Sequence, residues 1–290
     1  MVFVFFDKIK YMEILLYAFI FSFGICIGSF LNVLIYRLPR DISITKKTRS
    51  FCPKCKKKLS WWELIPLFSF LFLRGKCFKC KKNISWRYPV VELLTGLLFL
   101  SVFFKFNTIY DLRFTINEIV FLIYSWIIIG ILIAIFFIDL EHYIIPDSLI
   151  IIGSIASLLY LLINQFSIFN FQFTNDSRIS LFFNKLVPIS NLSLSNSHFI
   201  NHLLFAIIGL AFFGIIILLT RGKGMGIGDM KLAFFMGLVL GEKLLIALYF
   251  AFVVGALVGI ILILFKKKKL NSMVPFGPFL VVATILLMLV

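Results

Sequence analysis

Two groups of side chains in this sequence have the types and spacing for chemistry. The first is four cysteines, Cys52-Pro-Lys-Cys55 and Cys77-Phe-Lys-Cys80, with 21 residues between the two halves. Two CxxC turns can aim four thiolates at one tetrahedral Zn²⁺. The lysines around them favour thiolates and offset the charge of a tetrathiolate site. Two disulfides are the alternative, which a reducing compartment disfavours. A closed Cys₄ zinc site is a structural staple for a small loop domain. The fifth cysteine, Cys26, sits in an apolar stretch and reads as packing.

The second group is a pair of aspartates. Only 13 acidic residues occur in the chain, so each can be weighed. Asp139 follows the apolar run ILIAIFFI, and Asp229 stands in Gly224-Met-Gly-Ile-Gly-Asp229-Met-Lys231, just before another apolar run. A carboxylate at or inside a bilayer is costly and often marks function. Two facing carboxylates in a low-dielectric pocket do not both ionise; one keeps a proton. The ionised one takes a proton from a bound water, which attacks a peptide carbonyl. The other donates to the developing oxyanion or the leaving amine. This is peptide hydrolysis without a metal or a nucleophilic side chain. The plainer reading of either aspartate is a helix-end residue held by water or by Lys and Arg.

The neighbours of the aspartates have expected roles. Gly224, Gly226 and Gly228 suit a break in the helix or the close approach of an extended substrate. Asp147, after Pro146, rivals Asp139 as the first member of the pair, but its default role is to cap the next helix. Glu141 and His142 lie in the same short loop, where they can tune or gate the pair. His198 and His202 are four apart but on the opposite side, and no catalytic role is assigned to them.

These side chains must be positioned by membrane helices. The chain of 290 residues is 61% hydrophobic with mean hydropathy +1.06. Apolar blocks of about 18 to 20 residues cross a hydrocarbon core of about 30 Å, whereas barrel strands would alternate. Eight spans are expected, at 13–35, 89–105, 118–138, 148–165, 201–220, 230–241, 244–265 and 273–290. The first is too long for a cleavable signal peptide. Placing the 36–88 loop in the cytosol puts 22 of the 29 Lys and Arg on cytosolic loops, as the positive-inside rule requires. The net charge of +16 therefore reflects topology and a lipid environment, and nucleic acid is not an expected partner. Two spans separate Asp139 from Asp229, which puts both at one face and at similar depth. The fold expected is an all-α polytopic membrane protein of about eight transmembrane helices with a small cytosolic zinc-binding loop domain. Two domains are expected: 13–105, with the Cys₄ loop, and 115–290, with the aspartates. The segment 166–200 reads as a long outer loop without a motif.

Several segments together resemble the bacterial prepilin peptidases, or type IV leader peptidases, over nearly the whole chain. Gly28-Ser-Phe-Leu-Asn-Val-Leu-Ile-Tyr-Arg-Leu-Pro39 is similar to that family's N-terminal signature. The CPKC…CFKC loop follows, with Trp62–Pro66, Arg74–Cys77 and Ile84–Glu92 as further matching segments. Ile138-Asp139, Ile145-Pro-Asp147, Gly226-Ile-Gly-Asp229-Met-Lys-Leu232 and Pro275-Phe-Gly-Pro278 complete the set. The resemblance implies Asp139 and Asp229 as catalytic residues. It implies cleavage of the basic leader of type IV prepilins and type II secretion pseudopilins in the bacterial cytoplasmic membrane, with the active site at the cytosolic face. It also implies methylation of the new N-terminus with S-adenosyl-L-methionine. No fingerprint locates that cofactor's site; Glu63 and Glu92 are the carboxylates to consider. The runner-up readings are a presenilin-like GxGD intramembrane protease without methylation, and a proton- or cation-coupled transporter. The zinc loop and the GSFLNV segment disfavour the first. The absence of repeat symmetry and the edge placement of both aspartates disfavour the second.

Overall fold

The computed structural model describes residues 2–43, 49–110, 116–166, 198–222, 225–265 and 274–290. Gly224 and most of the expected outer loop, 167–197, lie outside the described residues. Eight long apolar helices occur among the described residues. They are α1 (Val2–Arg37), α3 (Arg87–Tyr110), α4 (Ile116–His142), α5 (Asp147–Phe166), α6 (His198–Leu219), α7 (Ile227–Leu240), α8 (Leu244–Leu264) and α9 (Gly277–Leu289), with a short α2 at Phe68–Phe72. No strand is present among these residues, only two isolated bridges. The eight helices match the eight expected spans. Six apolar segments are long enough to cross a membrane alone. Helices α7 and α8 run as one of these, broken at Gly241–Lys243, and α9 is shorter. The protein is a multi-pass membrane protein.

The chain divides into two compact units, residues 1–115 with 125–134, and residues 116–124 with 135–290. In the first unit, α1 and α3 meet through glycines. A Cβ on Gly24 would lie 2.8 Å from the Gly96 Cα, and one on Gly28 would lie 2.7 Å from the Glu92 Cα. Gly24 and Gly28 are four apart, the small-xxx-small spacing that lets membrane helices approach closely when apolar burial supplies no drive. Asn32 adds a cross-helix bond, its Nδ2 donating to the Tyr88 carbonyl at 3.1 Å. Trp126 of α4 stacks on Phe99 and donates Nε1–H to the Phe99 carbonyl. Cys26, read as packing, is exposed on α1.

In the second unit, α6 and α7 pack as closely. Gly237 abuts Ala206, and a Cβ on Gly209 would lie 2.9 Å from the Ala233 carbonyl oxygen. Helix α7 stops at Gly241, whose φ of +57° favours glycine. His202 is in hydrogen-bond contact with the Leu238 carbonyl at 2.8 Å and lies against Gly241. This histidine thus closes a helix end and has no part near the aspartates.

Candidate functional site: a carboxylate pair and a four-thiol cluster

The four-cysteine loop folds as two matching turns. In the first, Cys52 N–H donates to the Lys57 carbonyl and Lys56 N–H to the Cys52 carbonyl. In the second, Cys77 and Lys82, then Lys81 and Cys77, repeat the pattern. Lys56 and Lys81 both take φ +55° to close their turns. All four sulfurs lie within 4.8 Å of one another, and Cys55 and Cys77 are 4.0 Å apart. Zn–S bonds of about 2.3 Å in a tetrahedron need sulfurs about 3.8 Å apart, so the cluster is near a metal-ready size. The four are free thiols, not two disulfides. Cys77 is held down to about 7, first by the Cys80 backbone N–H and also by that of Lys79. Cys55 is pushed up to about 11. The Lys57 backbone N–H favours its thiolate, but burial and hydrogen bonds to the other three thiols together outweigh that.

Glu63 holds the base of this loop. It accepts from Ser60 N–H at 2.8 Å and from Lys57 Nζ at 3.0 and 3.1 Å. Burial opposes its charge, but the Ser60 N–H and Lys57 outweigh it and hold the carboxyl below 4.5. A carboxyl whose folded pKa is depressed adds stability that is complete above the unfolded value and is lost as pH falls through the folded one. Glu63→Gln is therefore expected to lower the loop's melting temperature at neutral pH. The gap to wild type should close below about pH 4.5, read from Trp61 and Trp62 fluorescence. A gap unchanged at low pH would remove the charge from this account. Glu92 accepts the Leu67 N–H at 2.8 Å, where Leu67 takes φ +58°. Both carboxylates considered for the methyl donor are thus bonded to the loop itself.

The aspartates are built by three helix ends. Asp139 lies one turn before the end of α4, where Tyr143 N–H closes on the Asp139 carbonyl and Tyr143 takes φ +58°. Asp229 is in the first turn of α7, and its Oδ2 accepts the Gly226 N–H at 3.3 Å. Asp139 is 5% exposed, and its Oδ2 is sealed from solvent without a well-formed hydrogen bond among the described residues, although the Gly277 backbone amide is close enough to act on the carboxyl. Asp229 is near enough to act on it electrostatically. The start of α9 completes the wall: a Cβ on Gly277 would lie 2.5 Å from Asp139 Oδ2.

One side chain links these ends. Ile145, in the α4–α5 connection, lies 3.2 Å from where a Gly228 Cβ would stand and 3.4 Å from where a Gly277 Cβ would stand. Gly228 is thus needed for packing. A Cβ on Gly226 would meet only ordinary contacts, 3.7 Å from Asp229 Oδ2, and Gly226 serves through its N–H. Asp147 begins α5, and its carboxylate accepts Lys231 Nζ at 2.7 and 2.8 Å, 84 residues away. It therefore ties α5 to the helix that carries Asp229 and is not a second partner for Asp139. Glu141 and His142 pair with each other at 3.9 Å. The structure thus brings Asp139, Asp229, Gly226, Gly228 and Asp147 to one end of the second unit. Sequence reading gave Gly277 and Ile145 no role of their own, and spacing carries no signal of what each would face.

A polytopic helical membrane protein with two carboxylates on converging helix ends and a four-thiol loop is the class that fold and site define. Residues 22–106 match the bacterial peptidase A24 N-terminal domain, and residues 126–264 match the type IV leader peptidase family. The relative from Legionella pneumophila is 32% identical over 94% of this chain and 91% of its own length. Those from Aeromonas hydrophila and Bacillus subtilis are each 31% identical, over 93% and 92% of this chain and 89% and 91% of their own lengths. All three are named prepilin leader peptidase/N-methyltransferase. No solved structure matches significantly. The chain belongs to the type IV leader peptidase family.

Proposed function

We propose that this protein is a membrane aspartic endopeptidase that removes the leader of type IV prepilins and type II secretion pseudopilins, with Asp139 and Asp229 as its acid–base pair. The observation that carries this is the Asp139 carboxyl. It is buried, it has an oxygen without a well-formed hydrogen bond, and a second carboxylate stands nearby. Buried polar atoms are nearly always bonded, so an orphan at such a place calls for a functional reason. A proton shared between the two groups, and the water they activate, supplies it. One aspartate takes the water's proton as oxygen attacks the scissile carbonyl. The other gives its proton to the leaving amine, which leaves the pair's single proton on the carboxyl that began ionised, and a shift of that proton between the two restores the starting state. Counting spans along the sequence puts both aspartates on the side of the Lys- and Arg-rich loops, which supports a cytosolic active site in the bacterial cytoplasmic membrane.

The Cys₄ cluster is read as a structural zinc site held by Cys52, Cys55, Cys77 and Cys80; the metal would cross-link the two turns and take no part in hydrolysis. The relatives' names support methylation of the new N-terminus as a second activity. When bound, S-adenosyl-L-methionine would supply the methyl group. A cavity of about 340 Å³ in the first unit is lined by Phe72, Leu73, Arg74, Lys76, Cys77, Phe78 and Lys81. Its lining holds no carboxylate that could accept from ribose hydroxyls, and the cavity is not assigned to that cofactor. The test is co-expression with a prepilin in a host that lacks its own processing enzyme, followed by mass spectrometry of the pilin N-terminus. Loss of the leader with gain of one methyl group is expected. An intact leader would refute the proposal.

Gly277→Ala is expected to slow processing about 10²-fold, because displacing a reacting group by about 1 Å costs that much. The added methyl would stand 2.5 Å from Asp139 Oδ2. Gly226→Ala, whose added methyl would stand 3.7 Å from Asp229 Oδ2 in ordinary contact, should stay within about threefold. Initial rates at matched protein amounts check both. Equal rates for the two variants would refute the assignment of Gly277.

A further inference from the structure

We infer that the loop between α1 and α3 carries a binding site for an anionic phospholipid: the exposed face of α2 lies in the membrane interface, and the basic cavity beside it takes the phosphate headgroup. The inference needs the long helices to span a membrane and is independent of the peptidase reading.

Three contacts fix the depth of α2. Leu67 N–H, just before α2, donates to Glu92 Oε2 at 2.8 Å. Glu92 stands five residues inside α3, a helix of membrane-spanning length that begins at Arg87, or about 7 Å along it at 1.5 Å per residue. Phe70, within α2, packs on Trp86 with ring centroids 5.0 Å apart, and Trp86 immediately precedes α3. Just past α2, the Gly75 carbonyl accepts from Ile84 N–H at 2.7 Å. Helix α2 is therefore held beside the first turns of a membrane span, where hydrocarbon gives way to headgroups.

At that level α2 presents an apolar face that the protein leaves uncovered. Phe68, Leu71 and Phe72, at i, i+3 and i+4, are 61%, 69% and 83% exposed, and residues so spaced share one side of a helix. Trp86, beside them, is exposed as well. Contiguous apolar surface of this kind marks a contact site, and aromatic side chains next to Lys and Arg settle at the bilayer interface.

The charge beside this face selects the lipid. The chain turns sharply after α2, with Arg74 at φ +49° and Gly75 at φ +67°. The cavity of about 340 Å³ lies at that turn, and its lining includes Phe72, Leu73, Arg74, Lys76 and Lys81 but no Asp or Glu. From Phe51 to Trp86 the chain has nine Lys and Arg and a single acid, Glu63, which is taken by Lys57. The three cavity cations thus have no carboxylate partner among the described residues. Phe72 belongs to both the exposed face and the cavity, so apolar surface passes directly into a cationic pocket. That succession complements an amphiphile with an anionic head. Its acyl chain lies against Phe68, Leu71 and Phe72, and its phosphate among Arg74, Lys76 and Lys81. A free phosphate would use the cations and leave the apolar face uncovered. A zwitterionic head would bring its own cation into a basic pocket and bind more weakly.

The test titrates the full-length protein in detergent with phosphatidylglycerol or phosphatidylcholine and reads bound lipid by native mass spectrometry. Wild type is expected to bind phosphatidylglycerol at least about tenfold more tightly. Combining Arg74→Gln, Lys76→Gln and Lys81→Gln should weaken phosphatidylglycerol about tenfold and leave phosphatidylcholine within about twofold. Combining Lys54→Gln, Lys58→Gln and Lys79→Gln removes the same charge from outside the cavity and should stay within about threefold of wild type. Equal losses in the two triple variants would mean attraction by the loop's charge alone and overturn the site. Displacement of the lipid by an equal concentration of inorganic phosphate would make it a free-anion site and overturn the lipid assignment. A photo-crosslinking residue at position 72, with every charge kept, reads the depth of α2 in phosphatidylglycerol nanodiscs. A lipid adduct is expected there, and its absence would place the face in water and overturn the inference.

Discussion

Asp139→Asn is expected to leave a co-expressed prepilin uncut while the protein accumulates in the membrane at its normal level. The change keeps the volume of a side chain that is 5% exposed, so packing around it should survive. What is lost is the group that exchanges protons with the attacking water. Removing one acid–base partner costs about 10²–10⁴ in rate. Asp229→Asn should lose as much, because neither carboxyl acts without the other. The double variant should be no slower than either single one, as residues that act as a unit are not additive. Lys231→Met gives a useful contrast. It breaks the Asp147 pair at 2.7 Å and loosens the ends of α5 and α7 without touching the reacting groups. Precursor and mature pilin on a gel, with an immunoblot for the enzyme, read all of these. Normal processing by either aspartate variant would remove that residue from the pair.

The second large effect is expected in the metal content of the loop. Wild-type protein should purify with about one zinc ion per chain, and Cys52→Ser with almost none, because a tetrathiolate site does not close with three sulfurs. The sulfurs lie within 4.8 Å of one another on two turns, each closed by a few local backbone hydrogen bonds and one isolated bridge, Phe51 with Lys58 and Lys76 with Asn83. So little backbone pairing leaves the metal to supply most of the loop's folding energy. A chelator should therefore unfold residues 51–86 while the helical segments keep their circular dichroism. Zinc measured by mass spectrometry and loop proteolysis report the two halves of this expectation. Unchanged zinc in Cys52→Ser would refute the metal assignment. The Glu63 contacts set a smaller, pH-dependent part of the same stability.

The two effects fall in different units of the chain, and the sequence was not equally informative about them. The loop was legible because its signal is local. Two CxxC turns close on a metal by spacing alone, and the matching bonds of Cys52 and Cys77 repeat what that spacing demands. The helices were legible because hydrocarbon thickness sets their length, and counting spans puts Asp139 and Asp229 on one face. The α1–α3 contact was legible in principle, through the four-residue step from Gly24 to Gly28.

What tertiary structure alone decided is which groups stand opposite one another. Nothing near Asp147 in sequence announces Lys231 as its partner 84 residues on, and a capping role was the reasonable local reading. Gly226 and Gly228 look equivalent in one motif. Only the presence of Ile145 opposite Gly228 separates a glycine required for packing from one that serves through its N–H. Gly277 acquires its meaning from Asp139, on a helix far away in the chain. A missing Cβ has no chemistry of its own, and its effect depends wholly on the surface it meets. Composition and spacing therefore determined the membrane helices, the thiol cluster and the common face of the aspartates. Packing of distant helix ends decided how the aspartate carboxyl is sealed.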